Sequence, residues 1–474
     1  MRTQARSIAG SRIIDIQLTS NDTLPLLPDT DDHLVLAWRD LHPITRGEFL
    51  QEVLALAERL PQTGHILNLC RDRYWFALSL FAAIVRNILS VLPHSTATDN
   101  LALLSDQIPE AVCVYDGAQP PCVQLPCFRV TDVGVAARHA PLPMPQIRVD
   151  QPVVCVYTSG STGAPQPHVK TFGRIRQSVL AEADRLWSLA GGPCAVVGTV
   201  PFQHMYGLES TVLLPLLGGG QLSARKPFFA LDVVMALAAL PVPRLLVSTP
   251  FHLRQLLSAG VQLPPLAAVL SATAPLSREL AVQIEQCLSA PLIEIYGATE
   301  TGQIATRQPT QQQDWEVLSG ISLCRQQGAT VADGGHLECA QVLNDRVELV
   351  SPYRFRLLGR NADMINIAGK RNSLAFLNHI LTHLPGVSDG VFCMLDSGVD
   401  ATVNRLAAFV VAPAMRQADI LSALQTQVDP VFLPRPIVLL HVLPRNENGK
   451  ITANTLAKLV AEHITSKMHH VNHD

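Results

Sequence analysis

Val153-Val-Cys-Val-Tyr-Thr-Ser-Gly-Ser-Thr-Gly-Ala-Pro165 is the stretch on which the reading of this chain turns. Its first half is a short apolar run, rich in β-branched residues, of the kind that forms a strand buried on both faces. The second half changes character at once. Glycine lets a backbone turn tightly and bring N–H groups to an anion, and Thr158, Ser159, Ser161 and Thr162 add hydroxyl donors around Gly160 and Gly163. A buried strand that runs into such a loop is a candidate phosphate cradle. It is not a Walker A loop, since no Gly-Lys-Ser/Thr follows, and it lacks the G-x-G-x-x-G dinucleotide spacing. Taken alone, a loop of serine and glycine is a surface turn.

Similar apolar runs recur at Ala195 to Val200, Arg244 to Ser248 and Ala267 to Ser271. Between them lie longer segments with helical spacing, Gly173 to Ala190 and Ser277 to Ser289. Strands alternating with helices predict an α/β fold whose sheet is parallel, with crossover helices on its faces. Tyr74 to Leu92 is the most membrane-like segment, but Arg86 and Asn87 interrupt it, so a buried helix is expected there rather than a span of ~20 apolar residues.

The chain has 474 residues, more than the ~250 to 300 at which single cores stop growing, so at least two domains are expected. Hydrophobic residues make up 48% and charged residues 16%, which supplies apolar surface for burial and argues against disorder. A formal net charge of −3 provides no overall positive field to attract a phosphate backbone or an anionic lipid surface. Nucleic acid is excluded as the main partner on this ground. The N-terminal residues lack an apolar core of signal-peptide length, and the reading is of a soluble cytoplasmic protein. Ten cysteines without a C-x-x-C pair are expected to be buried thiols. His469, His470 and His473 belong to a terminus expected to fray.

After Gly359 a polar stretch, Arg360 to Asp363, leads into about 115 residues with their own strands, Arg405 to Ala412 and Ile437 to Val442. Helices are expected at Gln417 to Gln427 and Thr452 to His463. The expected organisation is a large N-terminal domain, 1–359, of parallel-sheet and helix subdomains, and a small mobile α+β C-terminal domain, 360–474.

Two further segments carry chemistry. Ile293-Glu-Ile-Tyr-Gly-Ala-Thr-Glu-Thr-Gly302 is a short apolar strand running into glycine, with hydroxyls on both sides of Glu300. A carboxylate so placed can hold a hard cation such as Mg²⁺ that also binds phosphates. The bland alternative is a helix N-terminus, with Thr299 capping and Glu300 in the first turn. Pro444-Arg-Asn-Glu-Asn-Gly-Lys-Ile451 presents Lys450 beside a glycine, between a strand and a helix of the small domain. Such a lysine is ordinarily a solvated charge. The same placement suits a cation delivered to a site by domain closure.

Together these three segments resemble the adenylate-forming enzymes, which include acyl- and aryl-CoA ligases, luciferases and peptide-synthetase adenylation domains. Thr158 to Pro165 looks like the family's T-S-G-S-T-G-x-P phosphate loop, Tyr296 to Gly302 like its Y-G-x-T-E-x-G motif, and Pro444 to Lys450 like its P-R-x-x-x-G-K loop. Weaker matches fill the gaps. Pro201-Phe-Gln-His-Met-Tyr-Gly207 resembles P-x-x-H-x-x-G, which carries His204 over to the border of the acyl pocket. Ser271 to Leu276 looks like the segment that meets adenine, with Thr273 where glycine is usual and Ala274 beside it. Asp345 is placed like the aspartate that accepts from both ribose hydroxyls, and Gly359-Arg360 like the pair that ends the large domain.

The resemblance implies ATP and Mg²⁺ as cofactors, with Mg²⁺ held through Glu300, and a catalytic set of Lys450, Glu300, Thr299 and His204. It also implies an acyl pocket of His204, Met205, Tyr206, Ile295, Gly297 and Gly302. A small, flat aromatic acid suits that mixture. Arg346 to Leu349, Phe355 to Arg360 and Ile367 to Arg371 look like ligases of aryl polyene and xanthomonadin pigment biosynthesis, which load a hydroxybenzoate-type acid onto an acyl carrier protein. Coenzyme A as acceptor is the nearest rival. A catalytically silent nucleotide-binding module is the rival of another class, motivated by two departures: the lysine expected after the phosphate-loop proline is Gln166, and the hinge position is Ala362. His168 and Lys170 are the basic groups nearest the missing charge.

Overall fold

The computed structural model describes residues 22–465, apart from 94–95, 97, 122, 133–142, 160–164, 275, 361–363, 368–369, 396–404 and 447–448. Two large sheets organise the described residues up to 360, beside a two-stranded and a three-stranded one. The first has six strands, in the order Pro165–Thr171, Pro152–Ser159, Leu89–Leu92, His65–Asn68, Val112–Tyr115 and Cys127–Arg129. All neighbours are parallel except the first pair, in which Pro165–Thr171 folds back antiparallel on Pro152–Ser159.

The second sheet has eleven strands. Its centre is parallel, running Leu292–Ala298, Ala268–Ser271, Arg244–Ser248, Ala195–Gly198, Gln221–Ser223 and Val35–Arg39. Both flanks are antiparallel: His42–Thr45 at one edge, and Gly302–Arg307, Trp315–Val317, Arg354–Arg360 and Asp345–Ser351 at the other. The α/β class is as expected, but the sheets are mixed rather than parallel throughout. The difference arises at hairpins, where short turns such as 299–301 leave no room for a crossover helix.

The central strands are buried on both faces, and Ala195–Gly198 and Ala268–Ser271 are buried at every residue. Helix Phe172–Ala190 buries Leu186 in the cluster of these strands and Ile175 and Val179 in a second cluster with Val153, Val154 and Val156 of the six-stranded sheet, and it stops at Gly191, whose φ of 78° is the left-handed conformation that closes a helix. Ser277 caps Arg278–Leu288 by accepting from the Leu280 N–H at 3.2 Å.

The apolar stretch from Tyr74 is not one helix. Asp72 caps a helix, Arg73–Val85, and a turn with Asn87 at φ 52° ends it; Leu89–Leu92 is then a central strand. The interrupting Arg86 and Asn87 mark the break. Among the described residues no helix is long and apolar enough to cross a membrane. The cysteines divide: Cys70, Cys113, Cys155, Cys194 and Cys393 are buried, while Cys127, Cys287, Cys324 and Cys339 are exposed. Cys127 is exposed because its strand forms the edge of the six-stranded sheet.

Beyond residue 363 a hairpin, Met364–Ile367 with Lys370–Ser373, precedes helix Leu374–His383 and a three-stranded sheet of Asp389–Leu395, Arg405–Val411 and Ile437–Leu439. Two apolar clusters drawn entirely from residues 365–464 cover the two faces of that sheet. The helices fall at Gln417–Gln425 and Ala453–Val460, slightly shorter than the spacing suggested. The terminal histidines and Ala362 lie outside the described residues.

Candidate active site

Strand Leu292–Ala298 and strand Gly302–Arg307 form an antiparallel hairpin, and Thr299, Glu300 and Thr301 make its turn. The helix N-terminus considered for Thr299 and Glu300 is therefore not what forms. Gly297 explains why: a Cβ there would lie 2.2 Å from the Gly302 carbonyl oxygen, so only glycine lets the two strands close this tightly. Thr301, not Thr299, ties the turn. Its Oγ1 accepts from the Ala298 N–H at 3.0 Å and donates to the Gly302 carbonyl at 2.8 Å.

The turn opens onto a cleft lined by Tyr296, Gly297, Ala298, Glu300 and Thr301 on one side and Asp345 on the other. The Tyr296 hydroxyl donates to Asp345 Oδ2 at 2.7 Å. Its ring packs at a steep angle against the stacked pair Trp315 and Phe355, with centroids 5.7 and 5.4 Å away. Asp345 and Arg360 are direct partners in the ladder between Asp345–Ser351 and Arg354–Arg360. The two expected ribose-side residues thus face each other across neighbouring strands.

The strand pair Pro152–Ser159 and Pro165–Thr171 reaches the same turn. Thr158 stands at the end of Pro152–Ser159, opposite Gln166. Gly160, Ser161, Thr162 and Gly163 lie outside the described residues, as does the Ser159 side chain. On the returning strand, residues 166, 168 and 170 share a face, since side chains alternate. His168 Nε2 lies 3.2 Å from Thr158 Oγ1, and Lys170 Nζ donates to the Glu300 carbonyl at 2.6 Å. One short strand therefore touches both Thr158 and the acidic turn.

His204 is the N-cap of the helix beginning Met205–Leu208. That helix widens by a residue over Glu209–Leu213, ahead of Pro215, which has no N–H to give, and resumes as Leu214–Leu217. Met205 and Ile295 are buried, and the Tyr206 hydroxyl donates to the Ser248 and Leu270 carbonyls at 3.1 and 3.3 Å. Gly302, at φ 67°, backs onto Glu209: a Cβ there would sit 2.8 Å from Glu209 Oε1. Thr273 adopts φ 79°, and its buried Oγ1 has no hydrogen-bond partner among the described residues; Ala274 beside it is exposed.

Lys450 is exposed and its N–H bonds to Asn446 Oδ1 at 2.9 Å. The adjoining Gly449 packs on Phe251 of helix Pro250–Ser258, and Lys450 is not among the residues that line the cleft. Arg445 of the same loop makes a two-pronged ion pair with Asp389, at 2.8 and 2.6 Å.

Sequence reasoning missed a buried polar layer behind the turn. Glu209 accepts from Ser178 Oγ at 3.0 Å, Glu182 accepts from Ser210 Oγ at 2.7 Å, and Gln303 donates to Ser210 Oγ at 2.9 Å. Burial pushes the Glu182 carboxyl up to about 8 and the Glu209 carboxyl to about 7, with nearby Lys170 opposing the rise at Glu209. It also drives His336 down to about 4, and Lys170 is lowered by burial against the pull of Glu209, Glu338 and Glu300. The one signal in the sequence was Glu209 itself, a lone acid inside the apolar run Met205 to Leu217.

A family model described as AMP-binding enzyme matches residues 44–341. The chain belongs to the AMP-binding enzyme family. The 4-coumarate–CoA ligase of Rhodobacter capsulatus is 30% identical over 299 residues, covering 62% of this chain and 73% of the relative. A 4-chlorobenzoate–CoA ligase of an Arthrobacter species is 30% identical over 158 residues, 32% of this chain and 30% of that protein. Among solved structures, o-succinylbenzoate coenzyme A synthetase from Bacillus subtilis, in complex with ATP and magnesium, superposes with a TM-score of 0.75 at 18% identity, over 88% of this chain and 95% of that one. An AMP-binding enzyme with relatives of this kind is an AMP-forming acid–thiol ligase.

The residues at the cleft fit a nucleotide and a hard cation. Glu300, half-buried in the cleft wall, and the Thr158 hydroxyl are oxygen donors of the type Mg²⁺ takes. Asp345 carries a carboxylate, the acceptor type that hydroxyls bind, and the Thr273 hydroxyl is a buried polar atom with no partner among the described residues.

Proposed function

We propose that this ligase activates a small aromatic acid of the hydroxybenzoate type as its acyl-adenylate and passes the acyl group to a phosphopantetheine thiol. The observation that carries the reading is the single strand Pro165–Thr171, which joins the Thr158 loop to the Glu300 turn that walls the Tyr296–Asp345 cleft. A triphosphate laid between those groups has its ribose at Asp345 and Arg360, its adenine at Thr273 and Ala274, and its phosphates on Thr158 and the loop to Gly163.

In this reading an oxygen of the substrate carboxylate forms a bond to the α-phosphorus of ATP as the bond to pyrophosphate breaks. Hydroxyl and backbone donors of residues 158–163 stabilise the charge that gathers on the phosphate oxygens, and His204 and Thr299 orient the acid and the turn. When bound, Mg²⁺ on Glu300 supplies charge neutralisation at the phosphates. Lys450 reaches the reacting phosphate only after the small domain, which we place at 360–474, moves from its seat on Phe251. A second movement withdraws it and lets the thiol sulfur attack the mixed anhydride, with AMP leaving. His204, Met205, Tyr206, Ile295, Gly297 and Gly302 form the acyl pocket. The named relatives act on 4-coumarate and 4-chlorobenzoate, both aromatic acids, which supports the substrate class.

For the acceptor we take the carrier-protein thiol, on the likeness of residues 346–371 to carrier-protein ligases. Coenzyme A is the second reading, favoured by the names of those same relatives. Purified enzyme is tested with ATP and a panel of carboxylic acids for acid-dependent pyrophosphate release, then with either free coenzyme A or holo carrier protein. Release specific to aromatic acids is expected, with thioester formed on the carrier protein. Thioester on coenzyme A alone selects the second reading, and a flat panel rejects the activity altogether.

A further inference from the structure

We propose that Lys170 is a positioning residue for the metal-holding turn: it replaces the charge missing at Gln166 by fixing the backbone of Glu300 from beneath instead of contacting the phosphates. This rests on the function proposed above. Lys170 is 7% exposed, and its Nζ bonds the Glu300 carbonyl at 2.6 Å across 130 residues of chain. A buried ammonium needs both hydrogen bonds and countercharge, and Glu209 and Glu338 lie close enough to supply the latter. Glu338 is itself anchored, accepting from the Thr171 N–H and hydroxyl at 2.8 and 2.9 Å.

The geometry divides the work between two basic groups. His168 approaches the hydroxyl loop directly, at Thr158, while Lys170 turns to the opposite motif. A charge-assisted bond of this length fixes the peptide between Glu300 and Thr301, and with it the direction in which the Glu300 carboxylate leaves the turn. Thr301 and Gly297 define the rest of the hairpin's closure. With Lys170 removed, the Glu300 carbonyl loses its donor and the carboxylate its fixed base, although every ligand atom is still present. Groups that orient metal ligands typically matter by ~10- to 100-fold in metal affinity.

The test measures binding rather than turnover. The affinity of an α,β-methylene analogue of ATP, whose α–β linkage the enzyme cannot cleave, is taken by calorimetry with and without Mg²⁺, for wild type, Lys170→Met and Lys170→Gln. Mg²⁺ should tighten the analogue on the wild type. In Lys170→Met most of that gain, ~10-fold or more, should vanish while metal-free affinity stays close to wild type, the melting temperature falling as Glu209 and Glu338 lose their countercharge; Lys170→Gln, which keeps a donor, should recover part of the gain. An unchanged Mg²⁺ gain in the folded variants overturns the proposal. So does an equal loss with and without metal, or failure of both variants to fold, since either makes Lys170 a general structural cation. A wild type that binds the analogue with Mg²⁺ yet activates no acid would remove the proposed function and leave this result standing.

Discussion

The Tyr296 hydroxyl donates to Asp345 Oδ2 at 2.7 Å, linking the acidic hairpin to strand Asp345–Ser351. The two residues are 49 apart in the chain, so the bond ties together two motifs that are distant in sequence. A hydrogen bond to a charged group is worth about 1.5 to 3 kcal/mol. Tyr296→Phe should therefore raise KM for ATP by ~10- to 100-fold and leave KM for the acid within about twofold. Steady-state kinetics with each substrate varied separately checks the split, and an equal rise in both would assign Tyr296 to general packing.

Lys450 sits apart from the cleft, on a loop seated against Phe251. If it acts only when carried to the reacting phosphate, Lys450→Ala should lower pyrophosphate exchange by roughly 10² to 10³. Thioester formation from preformed acyl-adenylate should change by no more than a few fold. Equal losses in the two half-reactions contradict the assignment.

Thr273 holds a left-handed φ of 79°, a conformation that a β-branched residue adopts at a cost of about 1 to 3 kcal/mol. Glycine removes that strain but gains about 0.5 to 1 kcal/mol of unfolded-chain freedom. Thr273→Gly should therefore stabilise the protein by about 1 kcal/mol in denaturant unfolding. It should weaken nucleotide binding if the Thr273 hydroxyl serves adenine, which calorimetry with AMP reads directly.

Burial raises the Glu182 carboxyl from its ordinary range to about 8, so between about pH 4.5 and 8 the folded chain keeps a proton that the unfolded chain has released. Stability from this group is full below that window and falls as pH rises through it, by at most about 1.4 kcal/mol per pH unit. His336, lowered to about 4, works in the opposite sense, favouring the fold as pH rises from 4 to its ordinary value near 6.5. Glu182→Gln should flatten the decline in melting temperature between pH 6.5 and 8. An unchanged decline would show that the carboxyl is ionised in the folded protein.

Much of this was legible in the residues. The strands of the parallel core announced themselves because a strand buried on both faces has to be a continuous apolar run, as Ala268–Ser271 is. Gly297, Glu300 and Gly302 were visible as a motif, but not as a hairpin turn, because closure depends on the 2.2 Å clearance between Gly297 and the Gly302 carbonyl, a contact that sequence spacing does not encode. Asp345 could be placed but not its partner Tyr296. Lys170 was legible only as a basic group near a missing one; its bond to the Glu300 carbonyl joins residues 130 apart, which spacing does not encode. Glu182 and Glu209 were passed over because a helical acid is ordinarily solvated, and only the packing of the second sheet against the helix Phe172–Ala190 encloses them.

The central claim is that the acid's own oxygen attacks the α-phosphorus of ATP in this cleft. An aromatic acid labelled with ¹⁸O in its carboxylate, incubated with enzyme, ATP, Mg²⁺ and thiol acceptor, should yield AMP carrying one ¹⁸O atom for each thioester formed, read by mass spectrometry. Unlabelled AMP, or ADP in place of AMP, would contradict the account.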